Sequence, residues 1–202
     1  MIAGLRNALA VPILFDTYQA AVGANRAKTI FVDECVRPQS GMRLLDIGCG
    51  TGAVVPFLPT DTEIVGVDVS QPYISAAQRR FGHRADFRLA DASDLDADIG
   101  EGFDLAYAFG VLHHLPDDLA ISLINGAMRR LKQGGRLVTI DPTLTEKQGA
   151  ISRFIVSADR GKYVRTAGAV SDLFGHLDID IAVRHDLLRI PFANVIVSAS
   201  KA

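Results

Sequence analysis

Apolar residues along this chain fall into two alternating patterns: short apolar runs, and longer stretches in which they recur every three or four positions. The runs at 43–47, 63–68, 86–89, 103–109 and 136–141 are apolar or β-branched and end at polar or glycine positions, so each predicts a buried strand. Between them, 52–58, 70–81 and 117–131 predict helices, with Ser70 at an N-cap position and Gly134-Gly135 closing the last. Alternating strands and helices imply a doubly wound α/β sheet, mostly parallel and covered on both faces. Two further runs, 179–188 and 193–199, are separated only by 189–192, which predicts an antiparallel C-terminal edge pair.

Two segments lie outside this alternation. An amphipathic stretch at 15–36 interleaves Phe15, Tyr18, Val22, Ile30 and Val32 with Arg26, Lys28, Asp33 and Glu34, and predicts a helical cap over 1–40 near the ligand edge. The insertion at 143–172 carries Lys147, Arg153, Arg160, Lys162 and Arg165 and is expected to cap the substrate side. No repeat or linker interrupts the pattern, and 202 residues at 49% hydrophobic and 22% charged suit one core and one domain over 1–202.

Charge and cysteine content narrow the function classes. A net charge of -2 lacks the basic surplus that phosphate neutralisation needs, so no nucleic-acid partner is expected. The apolar N-terminus carries Arg6, Asn7 and Pro12 and falls short of the ~20 apolar residues of a membrane span. Cys35 and Cys49 cannot build a multi-bridge framework, and a reducing cytoplasm is the expected location. Oligomeric state is left open.

The chemistry starts where the first run ends. Asp46 is followed by Gly48, Gly50 and Gly52 around Cys49 and Thr51, so an acid-ended strand breaks into a loop whose glycines permit sharp turning and close backbone approach to a ligand. Asp68 ends the second strand, where a carboxylate lies beside that loop and can accept both hydroxyls of a ribose. Both NAD and S-adenosylmethionine satisfy this description, and Gly48-x-Gly50-x-x-Ala53 also fits a dinucleotide fingerprint.

Further residues point one way. Leu89-Ala90-Asp91-Ala92 ends the third strand in an acid, the fourth runs into Gly110-Val111-Leu112-His113-His114-Leu115-Pro116-Asp117, and Leu131 to Leu137 forms a Gly134-Gly135 turn before the fifth. With the Asp46 loop, these elements resemble the class I S-adenosylmethionine-dependent methyltransferases over about 42–141. The resemblance implies a Rossmann-like, seven-stranded sheet with one antiparallel strand. It also implies S-adenosylmethionine as cofactor and S-adenosylhomocysteine as product. By the same resemblance Asp46, Gly48, Cys49, Gly50 and Gly52 would lie near the methionine part, Asp68 and Val69 at the ribose and purine, and Asp91 and Ala92 at the adenine. Phe109 would offer its carbonyl to the ammonium group. No Lys or Arg falls within 44–69, which suits a cationic ligand.

Each candidate also has a plainer role. The glycines could make only a tight turn, Asp68 could cap a helix, and Asp91 could join Asp94, Asp96 and Asp98 on a solvated face. His113 and His114 are weak candidates for a base; beside Asp117 and Asp118 they invite a metal reading, but no further ligand arrives at tetrahedral spacing, so no metal is expected. Tyr18, Arg26, Arg153, Arg160 and Arg165 are substrate-side candidates, and the arginines could equally be a solvated face. The expected activity is methylation of a small-molecule acceptor at oxygen, nitrogen or carbon. An NAD(P)-dependent oxidoreductase is the alternative enzyme, although the residues four after Tyr18, Tyr73, Tyr107 and Tyr163 are Val22, Ala77, Val111 and Ala167, with no lysine. A non-catalytic cofactor-binding regulator is the third reading.

Overall fold

A computed structural model describes residues 23–91, 99–145, 162–188 and 193–202. The strands are β1 (Arg43–Ile47), β2 (Glu63–Asp68), β3 (Asp86–Leu89), β4 (Phe103–Phe109), β5 (Leu131–Leu144), β6 (Arg165–Thr166), β7 (Ile179–Arg184) and β8 (Asn194–Ser200). They are ordered β3-β2-β1-β4-β5-β8-β7 across the sheet, with the two-residue β6 pairing in parallel with Thr143 and Leu144 of β5. Strand β8 is antiparallel to both β5 and β7. The Rossmann-like sheet and its antiparallel edge pair are those expected; β6 is an addition that the sequence pattern did not show.

The near-continuous apolar runs arise because both faces of the sheet are buried. Leu45, Ile47, Val67, Ala106 and Leu137 pack toward one face, with Leu123 and Ala127 of α3 (Asp117–Arg130) and Val170 of α4 (Ala167–Asp172). Leu44, Ile64, Leu105, Tyr107 and Val138 pack toward the other. There they meet Ala27 of α1 (Ala24–Ile30), Phe31 of the π-helical continuation Phe31–Val36, and Ile74 and Ala77 of α2 (Gln71–Phe81).

Three local expectations need correction. The continuous helix over 15–36 is broken at Gly23, whose φ of 88° is left-handed, and α1 starts after it. The part before Gly23 lies outside the described residues, as do 92–98, most of the 143–172 insertion and 189–192. In place of the helix over 52–58 there is only a 3₁₀ turn at Val55–Phe57, because Gly52 is left-handed at φ 73° and Pro56 and Pro59 cannot both serve an α-helical ladder. Ser70 occupies the N-cap position of α2 without a side-chain cap bond. The Asp68 carboxylate accepts the Ser70 N–H.

The β5 strand is longer than expected, running back to Leu131 through a register irregularity opposite Phe103 and Leu105. The β7 strand stops at Arg184, which turns out to pair with Asp186 and with Glu34 of the π-helical segment.

Candidate cofactor and active site

Parallel pairing lines up the carboxyl ends of β1, β2 and β4: Asp46 lies beside Gly66 and Tyr107, and Ile47 beside Val67 and Ala108. The glycine loop follows directly, tied to β2 by the Cys49 N–H donating to the Val67 carbonyl at 2.9 Å. Its three glycines are all left-handed but for different reasons. A Cβ on Gly48 would stand 2.5 Å from Val111 Cγ2, and one on Gly52 would stand 2.9 Å from Phe81 Cδ2. Gly50 has open space around it. Of the three, only Gly50 leaves its surroundings free; Gly48 and Gly52 answer to the protein's own packing.

Asp68 joins the loop to the next helix. Its Oδ2 accepts the Gly50 N–H at 2.9 Å and its Oδ1 accepts the Ser70 N–H at 2.8 Å. Burial raises its pKa while those two amides pull it down. Each carboxylate oxygen keeps spare acceptor capacity. Next to it Val69 is 65% exposed and Leu89, at the end of β3, is 54% exposed. Two apolar side chains thus stand uncovered at the edge that carries Asp68 and the exposed Asp91.

Asp46 is buried, and its Oδ2 has no partner within normal hydrogen-bond geometry. The Tyr107 hydroxyl, from the residue paired with it on β4, is buried and unpartnered too. Burial pushes the Asp46 carboxyl up to about 7, Tyr107 counteracts this, and the Asp68 charge adds to it. The Cys49 thiol, buried beside the same two carboxylates, is held far above its usual range and stays protonated. Phe31 packs edge-on to Tyr107 and Phe109, with centroids 6.2 Å and 5.3 Å away, and so covers this corner from α1's side.

On the β4–β5 side, the buried His113 Nδ1 lies 2.8 Å from Asp141 Oδ1, which also accepts the His113 backbone N–H at 3.1 Å. Asp141 Oδ2 is buried without a partner. His114 is exposed and its ring lies 4.0 Å from that of His113. Arg165 donates to the Leu112, Leu115 and Tyr163 carbonyls and to Asp117. Its guanidinium is therefore engaged by the protein's own carbonyls and by Asp117. Arg26 is exposed on α1, and its charge acts on Asp186. Tyr18, Ala92, Arg153 and Arg160 lie outside the described residues.

Residues 44–135 match the family described as methyltransferase domain. This segment is a class I methyltransferase domain. The chain is 41% identical over 86 residues to a ubiquinone biosynthesis O-methyltransferase of Azorhizobium caulinodans, covering 41% of this chain and 34% of that protein. It is 36% identical over 111 residues to the 27-O-demethylrifamycin SV methyltransferase of Amycolatopsis mediterranei, covering 51% and 39%. The chain thus spans about a third to a half of the length of the curated relatives it matches. Among solved structures, the pyocyanin biosynthetic protein PhzM superposes with a TM-score of 0.76 at 15% identity, over 99% of this chain and 61% of that one. The [4+2]-cyclase SpnF superposes with 0.70 at 22% identity, over 88% and 80%. These two likenesses show that the fold shared with those proteins extends beyond the matched segment.

Two residues of the site were not singled out by sequence reasoning. Tyr107 sits in an apolar run where an aromatic reads as core, and only its cross-strand pairing with Asp46 distinguishes it. Asp141 ends the β5 run as Asp46 ends β1, and that shared position was the available signal.

Proposed function

We propose that this protein is a methyltransferase that uses S-adenosylmethionine to methylate a small-molecule acceptor. The observation that carries this reading is the buried carboxyl of Asp46 and the half-buried carboxylate of Asp68 flanking an open Gly50 inside a methyltransferase domain. Their fit to the cofactor is chemical: an unpartnered buried carboxyl suits a cationic end, a loop-anchored carboxylate suits vicinal hydroxyls, and Val69 and Leu89 suit the faces of a purine.

In this reading Asp46 and the Gly48 to Gly52 loop hold the methionine part, Asp68 and Val69 the ribose and purine, and Asp91 and Ala92 the adenine. The Phe109 carbonyl would accept a hydrogen bond from the ammonium group. S-adenosylmethionine supplies an electrophilic methyl on a good leaving group. The chain's own task is alignment and exclusion of water, which can contribute about 7–11 kcal/mol to such a transfer. With Nδ1 engaged by Asp141 Oδ1, Nε2 is the His113 nitrogen that would take a proton from an acceptor hydroxyl. Relatives named as O-methyltransferases support an oxygen acceptor.

The 1–40 and 143–172 segments would close over the acceptor as parts of one domain. A cytoplasmic location and the absence of a nucleic-acid partner complete the reading. Among the described residues, no helix is long and apolar enough to cross a membrane.

Titration calorimetry with S-adenosylmethionine and with NADH tests the cofactor, and micromolar binding of the former alone is expected. Tighter binding of NADH would return the oxidoreductase reading. Because a solved neighbour of the same fold is described as a [4+2]-cyclase, turnover is tested separately, by S-adenosylhomocysteine release with phenolic and quinol acceptors. Binding with no release across such acceptors would favour a non-methylating role.

A further inference from the structure

The Asp46 and Tyr107 pair is an unusual feature of the buried interior. Asp46 and Tyr107 are paired in the β1–β4 register; Asp46 Oδ2 and Tyr107 Oη are both sealed from solvent and interact without closing to a normal hydrogen bond with each other or with any other group. Leaving two polar groups unsatisfied costs roughly 1–3 kcal/mol each, so such an arrangement is expected where a site is completed by something else. We propose that Tyr107 is a positioning residue of the cofactor pocket: its hydroxyl donates to Asp46 when that carboxyl ionises against the cationic end of the cofactor.

This rests on the reading of the domain as an S-adenosylmethionine site. In the free protein Asp46 holds its proton below about pH 7, since burial and the nearby Asp68 charge both disfavour a second carboxylate. Binding expels that proton to solvent, and the resulting carboxylate has two donors at hand, the cofactor's ammonium and the tyrosine hydroxyl. A phenol is suited to this role because it stays neutral and can rotate its one proton toward whichever oxygen needs it. Its own ionisation is suppressed by burial and by the Asp46 charge. The titratable groups facing Asp46 are Tyr107 from β4, Asp68 from β2 and Cys49 from the loop. Helix α1 and its continuation lay Phe31 over the pair and also bury Lys28.

The sign of the pH effect follows from linkage. A cation that favours ionised Asp46 binds more tightly as pH rises through about 7, and each mole bound releases protons below that point. For the wild-type chain, calorimetric affinity for S-adenosylmethionine should rise roughly tenfold between pH 6 and 8. In Tyr107→Phe, which keeps the ring against Phe31, the carboxylate loses its donor. The midpoint of that rise should move up by about one pH unit, weakening binding several-fold at pH 7 and little at pH 8.5. In Asp46→Asn the rise should vanish. The cofactor-free protein offers an independent measurement: its urea midpoint should fall as pH rises from about 4 to 7 in wild type and fall less steeply in Asp46→Asn, where only the raised Asp68 still contributes.

If wild type binds S-adenosylmethionine at no pH, the function reading fails. If wild type binds but Tyr107→Phe keeps the same midpoint, or is weakened by one factor at every pH, the role of Tyr107 is overturned and the function reading stands. Should Tyr107→Phe not fold, Asp46→Asn decides: retention of the wild-type pH profile in that variant overturns the proposal.

Discussion

At the scale of single residues, the glycine loop shows how one spacing serves several constraints. Gly48, Gly50 and Gly52 are equivalent in the sequence and all are left-handed, yet only Gly48 and Gly52 also lack room for a Cβ. Gly48→Ala brings both a backbone penalty of about 1 kcal/mol and a collision with Val111, whereas Gly50→Ala brings only the first. In chemical denaturation Gly48→Ala should lose about 2–4 kcal/mol of stability and Gly50→Ala about 1 kcal/mol. Gly50→Ala should instead show its effect in cofactor affinity, because a methyl group there enters open space beside Asp68. Equal stability losses would mean that Val111 simply yields. The loop's existence was legible in the chain as an acid-ended strand followed by glycines. Which glycine has open space beside it was not, because that depends on Val111, Phe81 and Phe87, which arrive from elsewhere in the chain.

At the scale of elements, strand positions were read more faithfully than helices. β1 to β4 fall on the runs expected for them, since each run is a stretch buried on two faces and bounded by turn residues. Helices failed where backbone geometry overrode composition, at Gly23 and at the Val55–Phe57 turn. The histidine segment was legible as a loop after β4, but its fastening was not. Arg165, expected as a substrate cation, clamps that loop through the Leu112 and Leu115 carbonyls and Asp117, and Tyr163 donates its N–H to the His113 carbonyl. Charge-assisted bonds of this kind are worth about 1.5–3 kcal/mol where they are shielded, and Asp117 itself is exposed, so the carbonyls carry most of the effect. Arg165→Met should cost about 2 kcal/mol in denaturant stability and, with the His113 loop loosened, raise KM for the methyl acceptor more than KM for the cofactor. An unchanged acceptor KM together with wild-type stability would show that the clamp is dispensable.

At the scale of the whole molecule, the order β3-β2-β1-β4-β5-β8-β7 places β1 and β4 between the two halves of the winding, with the site outside their carboxyl ends. Both faces of these strands are covered, by α1 and α2 on one side and α3 and α4 on the other. Native-state hydrogen exchange should therefore be slowest in β1, β4 and β5, and faster by orders of magnitude in β7, whose Asp180 to Val183 are exposed. Comparable protection in β7 would indicate that this edge is covered in solution, as by a second copy. The chain's periodicity was enough to establish an α/β sheet and its edge pair, because strand burial and tight turning are local properties that leave local marks, and the motifs at its strand ends carried the resemblance to a methyltransferase family that the central segment matches. The pairing of Tyr107 with Asp46, of Asp141 with His113 and of Arg165 with the loop beneath it was settled only by folding, because register and crossover bring together residues whose separation along the chain carries no trace of their contact.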